Sequence, residues 1–336
     1  MKKELEQKRD NSEQEKDLIK SPFVEMLEVQ WGKQNFVCVG LDSDYEQIPE
    51  SVKKRRYLHG KLNDVITSFN MDIVHATHER VCAYKPNVAY YEAYGSMGLD
   101  ALVQTTRFIK RSYPDVPVIL DAKVADIGDT NKAYAKMAFE ESLADAITVQ
   151  PTPGSSYFEF GQLKLDALEP FFSHKEKGVF VWCRGSNKSA GQFQDLPIDL
   201  TQLSEEYKKM YGDLSGLRDI VGANIVQLYE VVAYVASRDW NINGNVGLVV
   251  GATYPYQLEK IRKIAGDMPI LVPGVGRQGG IAEAVIRAGV DARGRGIIVN
   301  SSRNIIFASK ASDFAQVARI ETEKLRNEIN KIRLAI

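Results

Sequence analysis

The sequence predicts an α/β protein, specifically a (β/α)8 TIM barrel with a parallel eight-stranded core. Three observations carry this prediction. Eight short apolar runs recur along the chain, most of them separated by helix-like stretches. The runs are largely apolar on both faces, as a parallel sheet covered by helices requires. The 336 residues also leave ample room, since such a barrel needs about 250. A doubly wound open sheet alternates strand and helix in the same way and is the other architecture the pattern admits.

In chain order the runs lie at residues 36–41, 81–84, 116–120, 146–150, 179–183, 246–250, 269–272 and 296–300. Each has strand length, and most are rich in Val, Ile or aromatic residues, which fit a pleated, covered surface. Pro117 falls near the start of the third run, where a strand tolerates it. Between the runs, residues 99–111, 131–142, 220–237, 256–264 and 281–288 read as helices. The surplus length goes in three places. Residues 1–21 form a Lys/Glu-rich extension, so a single barrel domain is expected over 22–336. Residues 187–219 are polar and dotted with Gly, Pro and Asp, and read as an insertion between strands five and six. Long connections of this kind serve as lids or binding loops, or are passive surface. Residues 312–335 read as a closing helix, with Phe314, Val317, Leu325, Ile329 and Ile332 near helical spacing.

Composition narrows the function classes. Hydrophobic residues make up 44% and charged residues 26%, and 43 basic side chains meet 44 acidic ones for a net charge of -1. That balance offers no electrostatic argument for a nucleic-acid or membrane partner. Cys38, Cys82 and Cys183 stand far apart in apolar runs without metal-ligand spacing, which suits a reducing compartment. The first ten residues contain no apolar core of a secretory signal, and no run has the length of a membrane span. The expected location is the cytoplasm.

The chemistry concentrates in Val116-Pro-Val-Ile-Leu-Asp-Ala-Lys-Val-Ala-Asp-Ile-Gly-Asp-Thr130. An apolar strand runs into Asp121 and Lys123, which two-residue spacing sends to the same face, and Asp126 follows in the turn. A lysine between carboxylates is held in its ammonium form, which suits a proton donor. Barrel active sites gather at the C-terminal strand ends. There the sequence also places Asp42, Lys85, Ser186, Gln278 and Arg303. Each alone is what a solvated strand end looks like; their coincidence on one face is the signal. The turn Pro273-Gly-Val-Gly-Arg-Gln-Gly-Gly280 matches G-x-G-x-x-G. It follows the penultimate strand rather than the first, and the next strand ends in Asn300 rather than an acid. Those features fit a phosphate cradle better than a dinucleotide site, with Asn300-Ser-Ser-Arg303 supplying the other side.

These blocks, together with Val39-Gly-Leu-Asp42, Tyr84-Lys-Pro-Asn87 and Gly251-Ala-Thr-Tyr-Pro255, fall in order from residue 39 to residue 303. In that order they resemble the orotidine 5′-phosphate decarboxylases, and the bacterial type 2 branch in particular. The resemblance implies a dimeric barrel that converts orotidine 5′-phosphate to UMP in pyrimidine biosynthesis with neither cofactor nor metal. It makes Lys123 the proton donor to C6 within a network of Lys85, Asp121, Lys123 and Asp126, and sets Asp121 against the substrate carboxylate. It also sends Asp126 and Thr130 into the partner subunit's site. Asp42 would hold ribose hydroxyls and Ser186 the pyrimidine. Gln278 would bridge base and phosphate, and Pro273, Gly280, Ser302 and Arg303 complete the substrate-binding set.

The chain departs from that pattern in two places. Arg184-Gly-Ser-Asn-Lys-Ser189 stands where type 2 members read Arg-Thr-Ser-Asn-Pro-Gly, so the loop lacks its stiffening proline. Arg277 stands beside Gln278 in place of a small residue, as a second cation for phosphate or a solvent-facing side chain. Two other readings share the barrel and the Asp-x-Lys-x-x-Asp spacing: a magnesium-dependent sugar-phosphate decarboxylase or aldolase, and an inactive nucleotide-binding barrel.

Overall fold

A computed structural model describes residues 20–55, 60–275 and 279–336. Twelve strands are seen among them: β1 (Val37–Leu41), β2 (Val81–Pro86), β3 (Ile119–Val124), β4 (Ala146–Val149), β5 (Ser156–Glu159), β6 (Gln162–Leu165), β7 (Gly178–Arg184), β8 (Pro197–Asp199), β9 (Ile225–Gln227), β10 (Val246–Val250), β11 (Ile270–Pro273) and β12 (Ile297–Ser301). Eight form one parallel sheet in the order β2-β1-β12-β11-β10-β7-β4-β3. Its two edges meet through bridges at Tyr84–Val118 and Asn87–Asp121, where the Tyr84 amide donates to the Pro117 carbonyl at 2.9 Å. The sheet therefore closes, and the barrel rather than the open doubly wound sheet is the fold. All eight apolar runs are barrel strands. The third starts later and runs further than its apolar stretch, carrying Asp121 and Lys123 inside the strand.

The barrel strands are sealed from solvent. Val37, Val39, Ile119, Ile147, Val179, Val181, Leu248, Ile270, Ile297 and Val299 are fully buried or nearly so. The helix Pro22–Gly32, with Ser21 as its N-cap, lies across the N-terminal strand ends. There Phe23 packs edge-on to Phe180 at 5.8 Å, the Trp31 indole donates to the Ile297 carbonyl, and Gln30 donates to the Asp115 carbonyl. The closing helix runs Phe314–Arg333 and packs on the helix Leu62–Thr77, with Phe69 stacked against Phe307 and Phe314. Its Arg326 and Asn330 donate to Asn35, Lys33 and Gln34, joining both ends of the described chain near the start of β1. The charged residues 1–19 lie outside the described residues.

One expected helix is not continuous. Residues 220–237 do not form a single helix: Ser215–Val221 ends at Gly222, whose φ of +75° is left-handed, and Leu228–Val235 begins after β9. Glycine adopts that conformation without strain and so stops a helix that the apolar spacing alone would continue. β9 pairs antiparallel with β8, so residues 187–219 carry one strand of a two-stranded sheet together with short helices. A β-hairpin, β5–β6, follows β4 and was not read from the sequence. Among the described residues no helix is long and apolar enough to cross a membrane. The three cysteines are free and buried, and burial pushes the Cys38 thiol up to about 12.

Candidate active site

A cleft of about 650 Å3 opens at the C-terminal ends of the barrel strands. Asp42, Lys85, Asp121, Lys123, Ser186, Pro273, Ser302 and Arg303 all line it. The topology makes this possible because every parallel strand presents the same end to one mouth.

Asp121 is the centre of the charge. Its Oδ2 accepts from Lys85 Nζ at 2.5 Å and its Oδ1 from Lys123 Nζ at 2.5 Å. Burial alone would raise the Asp121 carboxyl, but the two ammonium groups outweigh it and hold the group well below the usual carboxylate range. Burial likewise works against the Lys85 ammonium, and the charges of Asp121 and Asp42 overcome it and raise Lys85 above its ordinary value. The two lysines are not equivalent. The Lys85 side chain is 3% exposed and the Lys123 side chain 31%, so Lys123 is the ammonium that the cleft presents to a ligand. Its Nζ also lies 5.9 Å from the Trp182 ring centroid, a loose cation–π contact.

Asp42 leaves β1 beside this cluster. Its loop is fixed from behind, where Ser43 donates to Asn70 Oδ1 and the Tyr91 hydroxyl donates to the Leu41 carbonyl. Asp42 Oδ1 is buried and has no hydrogen-bond partner among the described residues. A buried acceptor left in that state calls for a donor from a ligand or water.

Two glycines let the strand ends crowd together. A Cβ on Gly40 would collide with the Ser302 hydroxyl, and one on Gly251 would lie 2.6 Å from the Ser186 backbone. Ser186 itself sits on a loop held by Arg184, which donates through Nε and Nη2 to both oxygens of Asp195 at 2.8 Å and lies over the Tyr254 ring at 4.6 Å. Gly185 N–H donates to Gln194 Oε1 in the same corner. A bidentate guanidinium–carboxylate pair is rigid. The stiffness expected to be lost with the proline is thus supplied from within the following helical turn. Arg303 is exposed, and among the described residues its guanidinium has no hydrogen-bond or ion-pair partner. Asn87, Trp182, Arg184 and Asn304 also line the cleft without having been assigned work from the sequence. Asn87 was within reach of such reasoning, since it follows Lys85 at two-residue spacing.

Asp126 and Thr130 are not brought to this cleft. Both are exposed. The Asp126 amide donates to Asn131 Oδ1, Asn131 Nδ2 donates back to the Asp126 carbonyl, and the Ile127 amide donates to the Asp126 carboxylate. Among the described residues Lys123 pairs with the Asp121 carboxylate and makes no ion pair with Asp126. Gln278 and Arg277 lie outside the described residues, and Gly280 falls in the first turn of the helix Gly279–Gly289. Of the glycine-rich turn, Pro273, Gly274 and Val275 line the cleft.

No donor set for a metal assembles around Asp121. Both of its oxygens are taken by ammonium groups, which repel a cation, and no cluster of three or more His, Cys, Asp or Glu suited to a metal occurs among the described residues.

A closed parallel barrel with an ionic cluster in its C-terminal mouth is the layout of a (β/α)8-barrel enzyme. The sequence model of the family described as orotidine 5′-phosphate decarboxylase / HUMPS matches residues 35–318. The chain is 41% identical over 312 residues to the orotidine 5′-phosphate decarboxylase of Cellvibrio japonicus, covering 93% of this chain and 99% of that one. It is equally 41% identical over 312 residues to the protein of the same name from Ralstonia pickettii, with the same coverage of 93% and 99%. A solved structure of Leishmania donovani OMP decarboxylase matches with a TM-score of 0.70 at 33% identity, over 94% of this chain and 99% of that one. The chain belongs to the orotidine 5′-phosphate decarboxylase / HUMPS family.

Proposed function

We propose that this protein decarboxylates orotidine 5′-phosphate to UMP, the carboxy-lyase step of pyrimidine biosynthesis, with Lys123 delivering the proton to C6. The carrying observation is the Asp121 carboxylate held between two ammonium groups, of which Lys123 faces the cleft. Losing carbon dioxide leaves an electron pair at C6 in an orbital that the ring π system does not delocalise. Fixed charge is then the available form of stabilisation. The C6–carboxylate bond breaks, the pair stays on C6, an Nζ proton of Lys123 forms the new C6–H bond, and solvent reprotonates the amine. Asp121, anionic beside the departing carboxylate, disfavours the bound ground state and holds Lys123 in line.

The remaining roles follow the same reading. The unpartnered Asp42 oxygen takes a ribose hydroxyl. Ser186 contacts the pyrimidine. Gln278 bridges base and phosphate, and Pro273, Gly280, Ser302 and Arg303 complete the substrate-binding set at the phosphate end, whose binding energy, remote from the reacting bond, drives orientation. Asp126 and Thr130 serve the neighbouring site of a homodimer. Their exposure, and that of Ile127 (65%) between them, supports this. The protein works in the cytoplasm, without cofactor or metal.

The test is the ultraviolet absorbance of orotidine 5′-phosphate mixed with the purified protein, with and without EDTA. Conversion to UMP that ignores the chelator is the expected result. No conversion with UMP still bound would replace the proposal by a nucleotide-binding barrel. Neither conversion nor binding would turn the search to sugar phosphates with magnesium. Within this reading Arg303→Ala weakens UMP far more than uridine, by about tenfold to a hundredfold for a lost charge-assisted phosphate contact. Calorimetry with both ligands checks it; equal losses would remove Arg303 from the phosphate end.

A further inference from the structure

β4 is a four-residue strand, Ala146-Ile-Thr-Val149, buried along its whole length, and it contains one hydroxyl. That hydroxyl, on the fully buried Thr148, bonds in two directions. Oγ1 donates to Asp121 Oδ1 at 3.0 Å and accepts from the Lys123 backbone N–H at 2.9 Å. The direction of both bonds follows from chemistry, because an ionised carboxylate only accepts and an amide N–H only donates.

The register explains why the hydroxyl is needed. Leu120 pairs with Ile147 and the next pairing is Val124 with Val149, so Asp121, Ala122 and Lys123 together stand opposite Thr148 alone. Such a bulge leaves residues without ladder partners. Lys123 has a φ of +48°, in the left-handed region where a side chain is strained. Strain of this kind persists when the surroundings over-determine it. Here the Lys123 amide, turned out of the ladder, finds the Thr148 hydroxyl in place of a backbone carbonyl. The same hydroxyl donates its own hydrogen bond to Asp121, on the oxygen that Lys123 Nζ also grips. One side chain thereby fixes the backbone of the lysine and the carboxylate that orients its head.

We propose that Thr148 is a positioning residue: its hydroxyl holds the β3 bulge that aims Lys123 and Asp121 into the cleft, without touching substrate. The inference rests on the decarboxylase reading of Lys123, and its test keeps the two apart. Thr148→Val has nearly the same shape and no hydroxyl; Thr148→Ser keeps the hydroxyl and loses the methyl. Steady-state kinetics on orotidine 5′-phosphate, UMP affinity, and amide hydrogen exchange at Lys123 are measured for wild type and both variants.

The valine variant is expected to lose kcat by about tenfold to a hundredfold, as misplacement by an ångström does. KM and UMP affinity stay within about threefold, because the binding groups are untouched. The Lys123 amide is expected to exchange faster in the valine variant, while the serine variant restores both kcat and protection. Wild-type kcat in the valine variant, or equal losses in valine and serine, would overturn the proposal, the second because packing of the methyl would then explain the effect. Unchanged Lys123 protection in the valine variant would overturn it too. Wild-type protein that turns over nothing would instead refute the decarboxylase reading, and the exchange comparison would still decide the role of the hydroxyl. Should the valine variant fail to fold, Thr148→Cys carries the comparison, since a thiol keeps the volume with far weaker hydrogen bonding.

Discussion

Lys123→Ala is expected to abolish turnover while leaving UMP binding measurable. General-acid action contributes about 10²–10⁴-fold, and loss of a preorganised charge at the reacting centre adds roughly another 10²–10³-fold. The combined fall is therefore on the order of 10⁴-fold or more. The fold should survive, because Lys85 and not Lys123 is the buried partner of Asp121, and that pair remains in the variant. Asp42, Ser186 and Arg303, the proposed binding groups, line the same cleft from other strand ends and keep their places. The measurement pairs the absorbance assay with UMP titration and a melting curve. Decarboxylation persisting near the wild-type rate would end the proposed proton route, and a simultaneous loss of folding would show that Lys123 anchors the barrel instead.

Asp121→Asn is expected to harm stability as well as turnover, and to do so in a pH-dependent way. The substitution leaves Lys85 buried with its nearest counter-charge gone. Removing one partner of a buried pair costs about 3–5 kcal/mol. The sign with pH follows from the direction of the shift. Asp121 is held below its ordinary value in the folded chain: burial opposes the charge, and Lys85 and Lys123 more than compensate. A depressed carboxyl contributes stability that is present above its unfolded value, near pH 4, and is lost as pH falls toward the folded value. Urea unfolding should therefore show the full gap between wild type and variant at pH 7, and a gap that narrows below about pH 4. A gap that is absent at pH 7, or that does not change in acid, would mean that the pair contributes no net charge interaction to folding.

These two expectations depend differently on what the sequence made legible. The pairing of Asp121 and Lys123 on one face was readable from their spacing, and Lys85 from its place on the second apolar run. That Lys85 is the sealed partner and Lys123 the presented one was not, because exposure at the end of a strand depends on what the neighbouring strands cover. Asp126 shows the same limit. Its place in the turn left it able to bend back or to reach a neighbour, and in the single chain its side chain is exposed, with the carboxylate accepting from the Ile127 amide. The helix expected over 220–237 failed for a local reason, since the apolar spacing outweighed Gly222 and the short strand β9 behind it. The rigidity of the Ser186 loop was also out of reach. It rests on an Arg184–Asp195 contact across eleven residues, with no periodic signature to mark it.

The sequence by itself determined a parallel α/β fold of eight strands and the charged residues at their ends. Apolar runs covered on both faces need helices packed against them, while the bridges between the second and third strands, which only the structure shows, close the sheet into a barrel whose strand ends share one mouth. The charged residues at those ends, and their order, were already written in the chain. Only the tertiary structure decided how they meet: the bulge of three β3 residues against Thr148, the left-handed turn of Lys123, and the exposure of Asp126. The reason is physical. Periodicity reports which face a side chain occupies relative to its own strand, whereas register and bulges depend on the partner strand, which the closing of the whole sheet selects.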